Sequence, residues 1–327
     1  MLHCGIRRRL DSTRTGMTAS ATPAITTRGL VKRYGSRTAL HGIDLDIARG
    51  NVFGVIGPNG AGKTTTMRLL LDIIRPSGGE LRVLGESPRS GGAALRQRIG
   101  YLPGELHLAT RARGRDFLAH YAEISGPVRL GVVDSLAERL GLELGRPVRS
   151  LSKGNKQKLG LVQAFMHEPE LLVLDEPTSG LDPLVQQEFL TMLREAKERG
   201  QTVFLSSHVL SEIQQAADEV AVLRAGRIVQ VSTVAQLRES AVRRVRVVVP
   251  EPSAALVADT LERLPGITGV RRVADRPRAA AFEAQLDAHV DTFVKAVGRH
   301  ELIDLTIEEP ELEQAVLGLY NGAGGER

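Results

Sequence analysis

The chain has 327 residues, 42% of them hydrophobic, which is enough to bury a large α/β core with a smaller addition. Its formal net charge of +5 is mild for this length and is not the signature of a nucleic-acid-binding protein. The single cysteine, Cys4, excludes a disulfide framework and a cysteine-rich zinc site. No stretch approaches the ~18 apolar residues of a membrane-spanning helix, so we expect no integral membrane segment.

The first predicted strand begins near residue 25, and we expect residues 1–23 to form a disordered leader. Arginines give this stretch positive charge, but it lacks the apolar core of a secretory signal. Met17 is an alternative start of the chain.

Short strands are predicted first. Residues 43–47 alternate between apolar and polar side chains, as in a half-buried antiparallel strand. Residues 51–56 are an apolar run typical of a buried strand, and residues 64–74 have helical spacing. Residues 76–79, Pro-Ser-Gly-Gly, indicate a break.

The middle of the chain alternates helices with short buried strands, which predicts a largely parallel sheet. In chain order we predict a helix over 114–140 interrupted near 125–127, a helix over 153–166, a strand over 171–174, a helix over 183–199, a strand over 202–205, a helix over 210–217 and a hairpin of 220–223 with 228–231.

After residue 240 the pattern changes to the order β-α-β-β-α-β, which is typical of a small α+β, ferredoxin-like domain. Its elements are predicted as a strand around 245–249, a helix over 253–264, strands over 267–273 and 279–286, a helix over 287–297 and a strand over 302–307. A last helix over 310–320 and a frayed end at 321–327 follow.

A glycine-rich loop between a predicted strand and a predicted helix carries the strongest motif, G-x-x-x-x-G-K-[ST]. It reads Gly57-Pro58-Asn59-Gly60-Ala61-Gly62-Lys63-Thr64. Glycines let the backbone N–H groups turn towards phosphate oxygens, and the following helix adds its positive end. Lys63 supplies a cation for the β- and γ-phosphates, the Thr64 hydroxyl can bind Mg²⁺, and we include Thr65 among the nucleotide-binding residues.

Two adjacent acids, Asp175 and Glu176, end the buried strand at 171–174. Carboxylates at the end of a buried strand cost free energy, so their presence indicates a role in binding or catalysis. We assign Asp175 to Mg²⁺ and Glu176 to the general base that polarises the attacking water. Taken alone, such a pair is also compatible with an ordinary ion pair in a loop.

Upstream of the acids lies Leu151-Ser152-Lys153-Gly154-Asn155-Lys156-Gln157. This segment resembles the signature of ABC ATPases, usually L-S-G-G-Q, with Lys153 and Asn155 as departures. The Ser152 hydroxyl and the Gly154 N–H stand at a predicted helix N-terminus, where both can donate to a γ-phosphate. Asn155 keeps an amide, and Lys153 adds a donor. A plain N-cap is the alternative interpretation of Ser152.

The resemblance to ABC ATPases covers roughly residues 24–240 and implies further roles. Tyr34 is similar to the aromatic residue that stacks on adenine. Asp182 ends a segment, 179–182, that resembles the D-loop, which crosses to the opposite subunit. His208 is similar to the switch histidine that contacts the γ-phosphate.

One landmark departs from the family. The Q-loop glutamine is expected after residues 101–103, but Gly104 stands there, followed by Glu105. Glu105 can substitute as a metal ligand, or it can be a surface acid.

The resemblance implies a P-loop NTPase (RecA-like) core with an antiparallel β subdomain and a helical subdomain near 105–165. We therefore expect an ATP-binding domain at 24–240 and an accessory α+β domain at 241–327. Two ATP-binding subunits, as a homodimer or a pseudo-dimer, would pair head to tail, so that Ser152 and Gly154 of one complete the ATP and Mg²⁺ site of the other. We expect a separate polytopic permease as partner, no nucleic acid, and a place at the cytoplasmic face of the cell membrane.

The tail at residues 302–312 resembles the extension of ABC-2-type exporters, which points to export. The alternative is a soluble ABC-type ATPase that acts on nucleic acid or ribosomes. Such relatives insert coiled coils or zinc modules between the P-loop and the signature, or carry two cassettes, and neither feature is seen here. A non-catalytic regulatory module would be expected to lack Lys63 or Glu176, and both are present.

Overall fold

The structure, a computed structural model, describes residues 22–106, 108–207, 209–239, 243–274, 277–287 and 289–308. Its strands are β1 Ile25–Tyr34, β2 Arg37–Ile47, β3 Val52–Ile56, β4 Gly78–Val83, β5 Ile99–Leu102, β6 Leu171–Asp175, β7 Thr202–Ser207, β8 Glu219–Arg224, β9 Arg227–Thr233, β10 Arg243–Pro250, β11 Ile267–Val273, β12 Ala279–Leu286 and β13 Asp304–Glu308. Its α-helices are α1 Lys63–Leu70, α2 Pro88–Gln97, α3 Gly114–Ser125, α4 Val132–Arg139, α5 Lys153–Phe165, α6 Pro183–Glu198, α7 Leu210–Ala216, α8 Val234–Glu239, α9 Ala254–Arg263 and α10 Val290–Val297.

A six-stranded sheet in the order β5-β6-β7-β3-β8-β9 forms the core, and only the β8–β9 pair is antiparallel. Every residue of β3, β6 and β7 is buried, which explains why these strands are continuous apolar runs. The predicted buried strands and the final hairpin are therefore confirmed. Since β3, β6 and β7 are parallel neighbours, the loops after them meet at one edge of the sheet.

A second, antiparallel sheet has the order β2-β1-β4. Strand β4 was not predicted, because Gly78 and Gly79 lie inside the break that we assigned to residues 76–79. This segment begins with two glycines and forms a strand because its backbone pairs with β1. Such pairing cannot be seen from the strand propensity of the segment alone. Helix α2 was also missed, and it contains a kink at Gly92.

The helices α3, α4 and α5 pack on one side of the core, where their apolar residues join a single buried cluster with β6 and α6. The interruption predicted near 125–127 is confirmed, because α3 ends at Ser125 and α4 begins only at Val132. The structure therefore confirms the predicted fold class, a P-loop NTPase core with an antiparallel β subdomain and a helical subdomain.

Beyond α8 the described residues build a four-stranded antiparallel sheet in the order β11-β12-β10-β13, with α9 and α10 packed on it. The order β-α-β-β-α-β is as predicted. The predicted helix at 310–320, the frayed end at 321–327 and nearly all of the predicted leader lie outside the described residues. Within the described part of the chain, no helix combines the length and apolar character needed to cross a bilayer.

Candidate nucleotide-binding site

The loop of residues 57–64, here called the P-loop, joins the buried strand β3 to helix α1. Two of its glycines are required by close contacts: a Cβ at Gly57 would lie 2.2 Å from the carbonyl oxygen of Leu223. A Cβ at Gly62, where φ is +115°, would lie 2.7 Å from a methyl carbon of Leu40. The loop can therefore curl tightly against the sheet before α1 begins at Lys63.

The ammonium of Lys63 lies inside this curl and is only 7% exposed. Its Nζ donates to the carbonyl oxygen of Gly57 at 2.6 Å and lies 3.6 Å from Oε1 of Glu176. A buried cation requires such partners, because burial without them is costly. Lys63 and Glu176 are thus brought together across more than a hundred residues of chain.

Asp175, at the end of β6, is 2% exposed, and both of its carboxylate oxygens accept from hydroxyls. Thr64 Oγ1 donates to Oδ2 at 2.7 Å, and Ser206 Oγ donates to Oδ1 at 2.6 Å. The carboxylate is therefore held in a fixed orientation next to the first turn of α1. Ser206 was not predicted, since it is a residue of a buried strand with no motif of its own.

The backbone of Glu176 is in the left-handed region, with φ of +49°. A non-glycine residue in this region needs strong local support. Its N–H donates to the carbonyl oxygen of Ser206, and the buried Gln157 donates from Nε2 to the carbonyl oxygens of Glu176 and Pro177 at 3.2 and 3.0 Å. Helix α5, which follows the signature segment, therefore holds the loop that carries Glu176. The sequence did not predict this supporting role of Gln157.

An open cavity of about 750 Å³ lies above the P-loop. Tyr34 is at its wall, 45% exposed, and the Nζ of Lys32 lies 4.8 Å from the centre of the Tyr34 ring. Three basic side chains that were not predicted, Arg37, His41 and Arg68, also line it. The predicted residues in the lining are Tyr34, Pro58, Asn59, Gly60, Ala61, Gly62, Lys63, Thr64, Thr65 and Glu176.

The signature segment, residues 151–157, does not line this cavity within its own chain. Ser152 caps α5, since its Oγ accepts from the N–H of Asn155 at 3.2 Å. Gly154 lies against the D-loop, residues 179–182, because a Cβ on Gly154 would be 2.7 Å from the carbonyl oxygen of Gly180. Asp182 caps α6, accepting from the N–H of Val185 at 3.0 Å.

Gly104 lies against Asp175: a Cβ on Gly104 would be 3.2 Å from Oδ2 of Asp175. Glu105 lines a different groove of about 640 Å³ between β5, α3 and α5. Its assignment to the metal stays a prediction. His208 lies outside the described residues, and its predicted contact with the γ-phosphate also stays a prediction.

The oxygen atoms available near the P-loop fit a Mg²⁺ ion that is shared with a nucleotide. Among the described residues, no group of three or more His, Cys, Asp and Glu side chains could hold a metal alone. Thr64 and Asp175 offer a hydroxyl and a carboxylate side by side. Mg²⁺ commonly takes one or two such protein ligands and completes its shell with phosphate oxygens and water.

Fold and site together define an ATP-binding P-loop protein. The sequence profile of the ABC transporter family matches residues 40–179. A daunorubicin resistance ATP-binding protein, DrrA3, from Streptomyces coeruleorubidus is 38% identical over 307 residues, which is 91% of this chain and 96% of that protein. A bacitracin transport ATP-binding protein, BcrA, from Bacillus licheniformis is 38% identical over 209 residues, which is 63% of this chain and 68% of that protein.

Among solved structures, one described as the ATP-binding subunit of an ABC transporter has a TM-score of 0.62 and 28% identity, covering 66% of this chain and 92% of its own. The chain belongs to the ATP-binding subunits of ABC transporters, which hydrolyse ATP to power transport. Cassettes of this family dimerise and work with transmembrane permease partners.

Proposed function

We propose that this chain drives the export of a small molecule through a separate transmembrane subunit. The observation that carries this proposal is the convergence of Lys63, Thr64, Asp175 and Glu176 at one edge of the sheet, in a chain similar to drug-exporter subunits over most of its length. Its similarity to a bacitracin transport protein and a daunorubicin resistance protein favours a drug-like cargo.

The parts of the site have separate tasks in this proposal. Backbone N–H groups of the P-loop and the Lys63 ammonium bind the β- and γ-phosphates of ATP. Tyr34 stacks on adenine at the cavity wall, and Arg37 adds positive charge beside the phosphates. The carboxylate of Glu176, which lies 3.6 Å from Lys63, orients and deprotonates the attacking water. His208 contacts the γ-phosphate.

Thr64 and Asp175 hold Mg²⁺ in this proposal, and the metal supplies charge stabilisation for the transferring phosphoryl group. Glu105 remains a proposed additional ligand. If it binds the metal, Glu105→Gln raises the Mg²⁺ concentration that gives half-maximal hydrolysis. An unchanged Mg²⁺ requirement would remove Glu105 from the metal site.

The remaining ATP-binding residues act across a dimer. Ser152, Gly154, Asn155 and Asp182 do not line the cavity of their own chain. The first three stand at the start of α5, where Ser152 is exposed and Gly154 and Asn155 are half-buried. We therefore propose a head-to-tail homodimer in which the signature segment of one subunit contacts the γ-phosphate held by the other. Hydrolysis removes this contact and opens the dimer.

We propose that residues 24–240 are the ATP-binding domain, residues 241–327 an accessory domain, and residues 1–23 a leader. The chain would work as a peripheral subunit at the cytoplasmic face of a membrane, bound to its permease. Motion of α3, α4, α5 and the segment at 104–105 would transmit dimer closure to that partner.

The test is hydrolysis of MgATP by the full-length chain and by Glu176→Gln. We expect Glu176→Gln to bind ATP, to lose turnover and to accumulate as a dimer in size-exclusion chromatography. Hydrolysis at the parental rate by this variant would overturn the assignment of the base. Copurification of the chain with nucleic acid or ribosomes, instead of with a polytopic membrane protein, would favour the soluble ATPase.

A further inference from the structure

Two hydroxyl groups from two different segments, the loop after β6 and the end of β7, converge on one carboxylate, that of Glu212 in α7. Thr178 Oγ1 donates to Glu212 Oε2 at 2.7 Å, and Ser207 Oγ donates to the same oxygen at 2.8 Å. Thr178 lies two residues after Glu176, and Ser207 is the last residue of β7, directly before His208. Glu212 therefore joins the segment that carries Glu176 to the segment that carries His208.

Burial makes this link important. Thr178 is 6% exposed and Ser207 is 1% exposed, so water cannot replace the carboxylate as their hydrogen-bond partner. Hydrogen bonds to an ionised carboxylate are stronger than those between neutral groups. Ser207 Oγ also accepts from the N–H of Val209 at 2.9 Å, so the same hydroxyl holds the backbone at Val209 as well as the carboxylate.

Ser207 and Glu212 meet on one face of β7, and the contact between Ser206 and Asp175 lies on the other face. Successive side chains of a strand point to opposite faces. Ser206 accordingly binds the carboxylate of Asp175, while Ser207 turns towards Glu212. The ends of β6 and β7 are thus held together by Ser206 on one face and by Glu212 on the other.

We propose that Glu212 is a positioning residue for ATP hydrolysis, which acts through Thr178 and Ser207 to fix the position of the Glu176 loop relative to the end of β7. Glu212 is not among the described residues that line the nucleotide cavity, so we assign it a positioning role and not a catalytic one. This inference rests on the proposed roles of Glu176 and His208. It predicts that loss of the carboxylate lowers kcat while ATP affinity is kept.

The experiment compares Glu212→Ala with Glu212→Gln in the full-length chain. The glutamine carbonyl oxygen has two lone pairs and can accept from both hydroxyls, whereas alanine leaves both without a partner. We expect Glu212→Ala to lower kcat about tenfold or more, since small misplacements of catalytic groups are costly, and Glu212→Gln to stay within about threefold of the parent. The Kd for ATP should change by less than about twofold in both, because the cavity lining is intact.

Glu198→Ala is the matched control, since Glu198 is an exposed glutamate of α6. It should leave kcat, Kd and thermal midpoint at parental values. A role of Glu212 in stability alone would lower the thermal midpoint of Glu212→Ala without changing kcat at a temperature where the protein is folded. That result, or a Glu212→Gln variant as impaired as Glu212→Ala, would overturn the proposal.

Thr178→Val keeps the volume of the side chain and removes only the hydroxyl, so it tests the link even if Glu212→Ala fails to fold. We expect Thr178→Val to lower kcat, and we expect its combination with Glu212→Ala to lower kcat by less than the product of the two single effects. Strict multiplication of the two effects would contradict a shared role.

Parallel assays of Glu176→Gln separate the two hypotheses. If Glu176→Gln is inactive and Glu212→Ala retains the parental kcat, the positioning role falls and the proposed function stands. If Glu176→Gln retains activity, the assignment of the base falls, and a loss of activity in Glu212→Ala then supports only the positioning of the end of β7.

Discussion

Gly154→Ala should separate catalysis from stability in this protein. The added Cβ would lie 2.7 Å from the carbonyl oxygen of Gly180, so the D-loop has to retreat by roughly 0.7 Å to reach the 3.4 Å at which ordinary contact begins. Overpacking of this kind costs about 1 kcal/mol when, as here, one partner, Gly180, lies in an exposed loop that can move.

An opposing effect makes the net change in stability small. Gly154 lies in the first turn of α5, where alanine is a better helix former by up to about 1 kcal/mol. We therefore expect the free energy of unfolding to change by less than about 1 kcal/mol. Hydrolysis should suffer far more, because a displacement approaching 1 Å in a phosphate-binding segment can cost about 100-fold in rate.

The assay compares urea unfolding, ATP binding to the dilute chain and ATPase rate at a concentration where dimers form. Gly145→Ala is the control, since nothing lies within 4 Å of a Cβ at that exposed position. We expect Gly154→Ala to bind ATP like the parent, because Gly154 does not line the cavity, and to hydrolyse it slowly. Parental turnover by Gly154→Ala would refute the claim that the signature segment must keep its place against the D-loop.

Three further outcomes are expected. Ser152→Ala removes the cap of α5 and should lower the free energy of unfolding by about 1 kcal/mol in urea titrations, while hydrolysis falls more than ATP binding. Arg37→Ala should weaken ATP binding three- to tenfold by isothermal titration calorimetry, whereas Arg33→Ala, outside the cavity lining, should not. Burial lowers the pKa of His167 from 6.5, against a smaller opposing effect of the Ile99 backbone. The unfolded chain therefore binds the proton first, and stability is lost as the pH falls below about 6.5. His167→Leu should remove that loss in unfolding curves between pH 8 and 5.

Each of these outcomes has a contrary result. Unchanged hydrolysis in Ser152→Ala would leave Ser152 as a helix cap alone. Equal affinities of the Arg37 and Arg33 variants would remove Arg37 from the site. A stability profile of His167→Leu that still declines below pH 6.5 would assign the acid sensitivity to other groups.

Several parts of the site could be predicted because their signals are local. The P-loop lies between an apolar run and a helical pattern, and its glycines stand where the backbone must turn tightly. Ser152 and Asp182 precede their helices and cap them, as short polar side chains do. Asp175 is the last residue of its buried strand, as predicted.

Other parts were decided only by tertiary structure, because they join residues far apart in the chain. Strand β4 forms because β1 offers a free edge, although its own sequence begins with two glycines. Arg37 reaches the P-loop through the β1–β2 hairpin, and Gly104 lies against Asp175 because β5 and β6 are neighbours. Glu212 has no motif around it and gains its partners only when the ends of β6 and β7 meet.

What the sequence determined and what the tertiary structure decided differ in how far apart the interacting residues lie along the chain. Helix caps, glycine turns and buried apolar runs depend on neighbours within a few residues, so the sequence by itself determined where the phosphate loop, the acids and the signature helix would stand. Distances such as 2.7 Å between Thr64 and Asp175, or between Thr178 and Glu212, depend on which strands pair and in which register. Only the folded sheet brings those side chains together.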